Sequence, residues 1–393
     1  MRVLSISREK DLKCLMREMN VDAYGIKIML PKAQSYLLKV NALSNISANI
    51  LKQEMLSLGG DVAVSRDALT GKAKKTDCLI MGSLAQLGYL SNKLHKQSFG
   101  LSNLAKDLSL ALKNYQKENL ILDLGGSRLK LGTRSHIMGI VNVTPDSFSG
   151  DGLCSKWRAV EYAEKLIEDG ANIIDVGGES SRPGAKPVSL KVELLRTISV
   201  IKTLAKKIKA PISIDTFKPE VARQALDNGA SLVNDITGLK NTNTAKIIGR
   251  YKAGAVIMHM QGNPRSMQKN PQYASLIDEI IAYLAEAIDR GAANGIAKEK
   301  IIIDPGIGFG KTLEHNLEIL KRLRELKVFG LPILVGTSRK AFIGKLLNSP
   351  PEERVFGSVA SCVVARANGA NIFRVHDVKA VKQALLVKDR IAE

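Results

Sequence analysis

From residue 136 onward the chain alternates with unusual regularity between short, continuously apolar runs and amphipathic helical patterns. The runs are HIMGIVNV, NIIDVGG, PISIDT, SLVNDIT, GAVIMHM, KIIIDPG, PILVGTS and NIFRVHD. Between them stand segments such as WRAVEYAEKLIEDG, PEVARQALDNG and LEHNLEILKRLREL, several closing on a glycine that suits a helix C-cap. Strands that are apolar throughout are covered on both faces, as in parallel sheets. Eight strand–helix units in one stretch of this length predict a (β/α)8 TIM barrel, with VKAVKQALLVKDRIA as its final helix. An open doubly wound sheet is the alternative, and the count of eight favours closure.

Residues 119–135, NLILDLGGSRLKLGTRS, alternate apolar and polar around a Gly-Gly turn. This predicts a β-hairpin that enters the barrel and covers its N-terminal mouth. Residues 1–118 lack the repeat. Strand-like YGIKIML and DCLIMG mix there with helical ANILKQEMLSLGG and GLSNLAKDLSLALKNYQK, which predicts a small α+β domain before a barrel domain at 119–393. The stretch between Lys52 and Asp77 reads as strand–turn–strand with a solvated basic loop, in preference to a phosphate or RNA contact.

Each barrel run ends in residues a core would not select: Asn142, Asp175 with Glu179, Asp215, Asn234 with Asp235, His259, Asp304, Ser338 with Arg339 and Lys340, and Arg374 with His376. A barrel aims its strand C-termini at one mouth, so these groups converge where such folds do chemistry. Asp235 and Asp377 also read as helix N-caps, and a lone His259 reads as structural. No Ser-His-Asp or Cys-His spacing supports a covalent hydrolase. Five histidines leave little room for a three-histidine metal site. Carboxylates and amides together suit a flat heterocycle with donor and acceptor edges. The cations ending strands seven and eight lie where barrels bind phosphate, and Arg374 and His376 precede a helix N-terminus. The residues alone therefore point to a polar ring joined to a phosphate. The segment PGIGFGKT imitates a P-loop, but Pro305 stands where that motif requires glycine. It reads as a tight strand-to-helix turn beside a ligand, with Asp304 carrying the chemistry and Phe309 the packing.

Composition is that of an ordinary globular protein, 45% apolar and 24% charged over 393 residues. No run spans a membrane, the N-terminus has no secretory pattern, and four scattered cysteines suit a reducing compartment, so a cytoplasmic protein is expected. The net charge of +20 is divided between residues 1–118, with 18 basic and 10 acidic residues, and the remainder, with 40 and 28. Such spreading favours a solvated basic surface that attracts small anions over a nucleic-acid face.

The segments IMGIVNVTPDSFSGDG, GANIIDVGGESSRPGA, PISIDTFKPEVARQAL, VNDITGL, MHMQGNPRSMQ, IIIDPGIGFGKTLEHN, VGTSRKAFIG and IFRVHDVKAVKQAL, in this order, resemble the dihydropteroate synthases, the sulfonamide targets of folate biosynthesis. The resemblance covers roughly residues 119–393. It implies that 6-hydroxymethyl-7,8-dihydropterin diphosphate condenses with 4-aminobenzoate to give 7,8-dihydropteroate and diphosphate. It further implies Asn142 as ligand of a Mg2+ on the diphosphate, and Asp215, Asn234, Asp304 and Lys340 as the pterin pocket, beside which Phe309 would pack. Arg374 and His376 become the diphosphate anchor. Ser181, Arg182, Ser338, Lys340 and Phe148 become the aminobenzoate site. Asn142, Asp215, Lys340, Arg374 and His376 would then act on the reacting groups, and a homodimer through the last barrel helices is implied.

The loop that follows Asn142 would order over the second substrate, with Asp146 or Asp151 near the metal. Three departures from the family pattern stand out: Ser181 for the usual Thr, Phe217 beside Asp215, and SFSGDG for SFSDGG. A corrinoid-type pterin-binding methyltransferase is the alternative within the fold. A basic RNA-binding or regulatory role in residues 1–118 is the alternative outside it.

Overall fold

The computed structural model describes residues 1–4, 6, 8–143, 152–180, 187–264 and 266–392, with backbone alone at 152–155. The chain divides into two compact units, Met1–Lys113 and Asn114–Glu393.

The first unit carries helices α1 (Glu9–Glu18), α2 (Ala23–Ala33), α3 (Asn45–Leu56), α4 (Arg66–Leu69), α5 (Leu84–Leu94) and α6 (Leu101–Gln116) and strands β1 (Ser35–Ser44), β2 (Asp61–Val64) and β3 (Lys75–Ser83). The strands form an antiparallel sheet in the order β1-β3-β2. Alternation along β3 buries Cys78 and Ile80 against Leu51, Met55, Leu87, Leu90 and Leu108 from the helices. The strand reading of YGIKIML is corrected: these residues lie in α2. Asp22 caps that helix by accepting from the Gly25 amide, and Ile26 and Leu30, one turn apart, bury a single face. The stretch between Lys52 and Asp77 likewise holds the end of α3, β2 and α4 ahead of β3, so its first part is helical.

In the second unit β4 (Leu120–Leu124) and β5 (Ser127–Leu131) form the hairpin. The barrel strands follow as β6 (His136–Asn142), β7 (Ile173–Gly177), β8 (Ile212–Asp215), β9 (Leu232–Asp235), β10 (Gly254–Met258), β11 (Ile301–Asp304), β12 (Leu334–Val335) and β13 (Ile372–Val375). All pair in parallel, and a bridge between Ile303 and Ile333 closes the ring. Helices α7 (Gly152–Glu168), α8 (Leu190–Lys207), α9 (Pro219–Asp227), α10 (Thr242–Arg250), α11 (Leu276–Ala293), α12 (Leu313–Arg322), α13 (Ala341–Leu347), α14 (Val355–Ala367) and α15 (Val378–Ile391) return the chain between and after the strands.

The period of two along each strand sorts the side chains. Ile137, Val141, Ile174, Val233, Ile257, Ile303 and Phe373 face outward into the core shared with the helices. Met138, Ile173, Leu232, Val256, Ile302, Leu334 and Ile372 form an inner layer at the N-terminal end, where Leu120, Leu122, Leu124 and Leu131 of the hairpin pack against them. Burying each such leucine contributes about 1.5–3 kcal/mol, so the hairpin is a plug that the barrel bottom requires. Two residues further along, the same inward stripe reads Ile140, Asp175, Asn234, Met258, Asp304, Gly336 and Arg374. The site is therefore the second inward layer of the barrel. Among the described residues, no helix is long and apolar enough to cross a membrane.

Candidate active site

One pocket at the C-terminal mouth is lined by Ile140, Asp215, Asn234, Ile236, Met258, Asp304, Phe309, Ser338, Lys340, Arg374 and His376. The structure thus brings together Asp215, Asn234, Asp304, Phe309, Ser338, Lys340, Arg374 and His376. Ser181, Arg182, Phe148, Asp146 and Asp151 lie outside the described residues. Asn142 stands beside this group: its Oδ1 and Asp215 Oδ2 lie 3.6 and 3.7 Å from the position a Cβ on Gly177 would take.

Arg374 organises the floor. Its Nε donates to Asp175 Oδ2 at 2.6 Å and its NH2 to Asp215 Oδ2 at 2.7 Å. Asn234 Nδ2 also donates to Asp175 Oδ2, at 3.3 Å, while Asp175 Oδ1 is buried with no hydrogen-bond partner. Two carboxyl groups thus share one guanidinium away from water. Burial pushes the Asp215 carboxyl far above the usual carboxylate range, opposed by Arg374 and reinforced by Asp175. Burial works against the charge of Arg374 as well, but Asp175 and Asp215 outweigh it and raise its pKa.

Asp304 is raised too, chiefly by burial, against the Gly306 amide that donates to its Oδ1 at 2.7 Å and against Lys340, Lys311 and Arg374. Gly306 is required at that turn: its φ is +72°, and a Cβ there would stand 1.9 Å from the His259 carbonyl oxygen. Phe309 packs with Ile236, Met258, Met260 and Met267 into an apolar wall that Phe217 joins from the side. The Lys340 ammonium sits 4.1 Å from the Phe309 ring centroid, a cation–π contact.

Lys340 is aimed by its neighbour. Arg339 adopts φ +56°, a left-handed conformation costing about 1–2 kcal/mol for a residue with a Cβ. Its amide donates to Ser358 Oγ at 2.9 Å, and its guanidinium grips Asp377 through two hydrogen bonds. Asp377 is accordingly an ion-pair partner and its side chain does not cap α15. Asp235 caps no helix either. It accepts from the Thr237 amide and hydroxyl and from the Leu239 amide, closing the turn after β9. Ser338 Oγ accepts from the His376 amide at 3.2 Å and lies 3.1 Å from His376 Nδ1. The Ser338 hydroxyl thus meets both the backbone and the ring of His376.

The pterin-binding enzyme family model matches residues 138–376. A dihydropteroate synthase of Synechocystis sp. is 47% identical over 273 residues, which are 69% of this chain and 94% of that protein. The chain belongs to the dihydropteroate synthase family. A solved member, Xanthomonas albilineans dihydropteroate synthase with 4-aminobenzoic acid, superposes with a TM-score of 0.65 at 41% identity, covering 70% of this chain and 98% of that one. A probable bifunctional folylpolyglutamate synthase/dihydropteroate synthase of Halobacterium salinarum is 36% identical over 94% of this chain and 44% of its own length. That match extends into residues 1–113, which the Synechocystis synthase leaves largely unmatched.

Sequence reasoning placed Asp175 among the groups at the barrel mouth but gave it no role in the site. The signal was present, since Asp175 follows inward-facing Ile173 by two. It also passed over Lys311, which lies at 3% exposure under the pocket wall.

Proposed function

We propose that this chain condenses 6-hydroxymethyl-7,8-dihydropterin diphosphate with 4-aminobenzoate, as a transferase of folate biosynthesis. The observation that carries the reading is the convergence of Asp215, Asn234, Asp304, Lys340 and Arg374 on one pocket beside the wall of Phe309 and Met258. A pterin presents an aminopyrimidinone edge with adjacent N–H donors. Asp304 and Asp215 supply acceptors, Asn234 supplies both donor and acceptor, and the wall takes the ring face. The Xanthomonas synthase was solved with 4-aminobenzoic acid, and we assign that second substrate to the same mouth here.

In the reaction the pterin methylene–oxygen bond breaks and its electron pair leaves with the diphosphate. The aniline nitrogen donates its lone pair to the methylene carbon and then loses a proton. Such an amine is a weak nucleophile, so the chain's contribution is to hold the two partners in line and to stabilise the departing charge. Lys340 provides positive charge and His376 a polar ring at the mouth, and Arg374, engaged by Asp175 and Asp215, adds its charge from the floor. A sulfonamide would compete with aminobenzoate for this place.

The residues fit a Mg2+ held largely by the substrate. Among the described residues no group of three His, Cys, Asp or Glu is placed to hold a metal ion, and Asn142 offers a single hard amide oxygen. Mg2+ characteristically takes one or two protein oxygens with phosphate and water. Bound there, it would neutralise charge on the leaving diphosphate.

We infer that the protein is a cytoplasmic homodimer joined through α14 and α15. Phe356, Val364, Leu386 and Ile391 on these helices are exposed apolar side chains, and free thiols at Cys14, Cys78 and Cys362 suit a reducing compartment. Binding of 6-hydroxymethylpterin to the wild type and to Asp304→Ala tests the pocket. Loss of binding in the variant is expected, and equal binding would overturn the assignment.

A further inference from the structure

The glycine-rich turn after β11 contains a lysine that neither the pocket nor a P-loop uses. Lys311 is 3% exposed, and its Nζ lies 2.9 Å from His259 Nδ1 and 3.0 Å from the Phe309 carbonyl oxygen. His259 stands at the end of β10 and is itself 4% exposed. Its ring meets Tyr283 edge-on at 4.9 Å, and Tyr273 lies 6.0 Å away. Tyr273 in turn donates to the Gly310 carbonyl at 2.8 Å, and Gln268 to the Gly308 carbonyl at 2.6 Å. The three successive carbonyls at 308, 309 and 310 are thus each taken by a side chain.

An isolated buried ammonium is costly unless it is paired, and a lysine in such a place shifts its pKa instead. A leucine or methionine would fill this volume without that cost. The amine therefore serves its acceptors, and the nearer consequence is Phe309, whose carbonyl it fixes and whose ring carries Lys340.

We propose that Lys311 is a positioning residue of the synthase reaction: it ties the Phe309 carbonyl to His259 and so sets the Phe309–Lys340 pair against the pterin. This rests on the reaction proposed above. His259 accepts at Nδ1 and remains the neutral Nε2–H tautomer; burial, aided by Lys311 and Lys240, pushes its pKa down to about 2. Burial likewise lowers Lys311 to about 7, opposed by Asp304 and aided by Lys340. The groups facing the amine are Asp304 from β11, Lys340 ahead of α13, His259 from β10, and the tyrosines 273 and 283 behind it. In either protonation state Lys311 has enough N–H groups for both acceptors. The change through neutral pH is in the field at Asp304 and Lys340, while the tether persists.

The test compares wild type, Lys311→Met and Lys311→Gln for affinity toward 6-hydroxymethylpterin and for kcat/KM toward the pterin diphosphate, across pH 5.5 to 8.5. Misplacing a binding group by about 1 Å costs on the order of a hundredfold, so Lys311→Met is expected to lose roughly ten- to a hundredfold in both. Lys311→Gln keeps an N–H donor and is expected to recover part of that loss. Both variants are expected to change the pH profile through neutrality, because the Lys311 amine, lowered to about 7, acts on Asp304 and Lys340 there. In a Phe309→Leu background the Lys311→Met loss is expected to vanish, because the two act in series. Wild-type affinity in Lys311→Met, or an undiminished loss in the Phe309→Leu background, would overturn the role. A wild type that binds pterin but forms no dihydropteroate would contradict the reaction instead, and the binding arm would still decide Lys311.

Discussion

Arg374 on β13 reaches Asp175 on β7 through its Nε at 2.6 Å, a contact that spans 199 residues of sequence and passes over β6, the strand between them. The same guanidinium holds Asp215 through its other arm at 2.7 Å. A planar fork serves two carboxylates, which the point charge of a lysine does not reproduce.

Replacing Arg374 by lysine should leave one of the two buried carboxylates without its charged partner. A hydrogen bond to a charged group contributes about 1.5–3 kcal/mol, and the loss should appear as a lower thermal midpoint together with weaker pterin binding. Calorimetry and pterin titration on Arg374→Lys check this. Unchanged values in both would mean that the bridge is idle.

Asp304 predicts opposite signs for stability and for ligand binding. Its folded pKa is raised to about 6 from 3.8. Its contribution to stability is thus fully present below pH 3.8 and is lost as pH rises through about 6. Pterin binding needs the carboxylate, so affinity should increase through the same window. Asp304→Asn should flatten both dependences and weaken binding by about 1.5–3 kcal/mol, the worth of a charge-assisted hydrogen bond. Calorimetric titration of a pterin at pH 5 and pH 8 reads the effect.

Ser338 holds the backbone and the ring of His376 through one hydroxyl. Ser338→Ala should leave the fold intact and reduce kcat/KM for the pterin diphosphate by about 1 kcal/mol, or roughly fivefold. Affinity for a pterin lacking the diphosphate should not change, because His376 is assigned to the phosphate end. Steady-state kinetics beside a pterin titration separates the two, and an equal loss for both ligands would move His376 from the phosphate to the ring.

Phe356 is 86% exposed on α14. If α14 and α15 form the subunit interface, Phe356→Glu should yield a monomer by light scattering. A dimer of unchanged mass in the variant, or a monomeric wild type, would place the interface elsewhere or remove it.

The barrel was legible because the strands are short, mostly apolar runs, and the site because each run carries a polar residue at or near its C-terminal end. The period of two then separates Ile173 and Asp175 onto the inner face from Ile174 and Val176 on the outer. The partners were not legible. That Arg374 joins Asp175 and Asp215 depends on which strands close the ring, which no local pattern contains. Lys311 was hidden for the opposite reason. A lysine flanked by Gly310 and Thr312 reads as solvated, and only the fold of the turn against His259 buries it. YGIKIML was misread because most of its residues suit a strand, while the deciding signal, the Asp22 cap, lies outside it. Ser181, Arg182 and Phe148 remain assignments from the resemblance.

The central claim is that the barrel mouth joins a dihydropterin to an arylamine with loss of diphosphate. The direct measurement is formation of 7,8-dihydropteroate by the full chain with Mg2+, 6-hydroxymethyl-7,8-dihydropterin diphosphate and 4-aminobenzoate, each omitted in turn. The account predicts product and stoichiometric diphosphate only when both substrates are present, and none from Asp304→Ala. Diphosphate release without the arylamine at the full rate, or no dihydropteroate from the complete mixture, would contradict it.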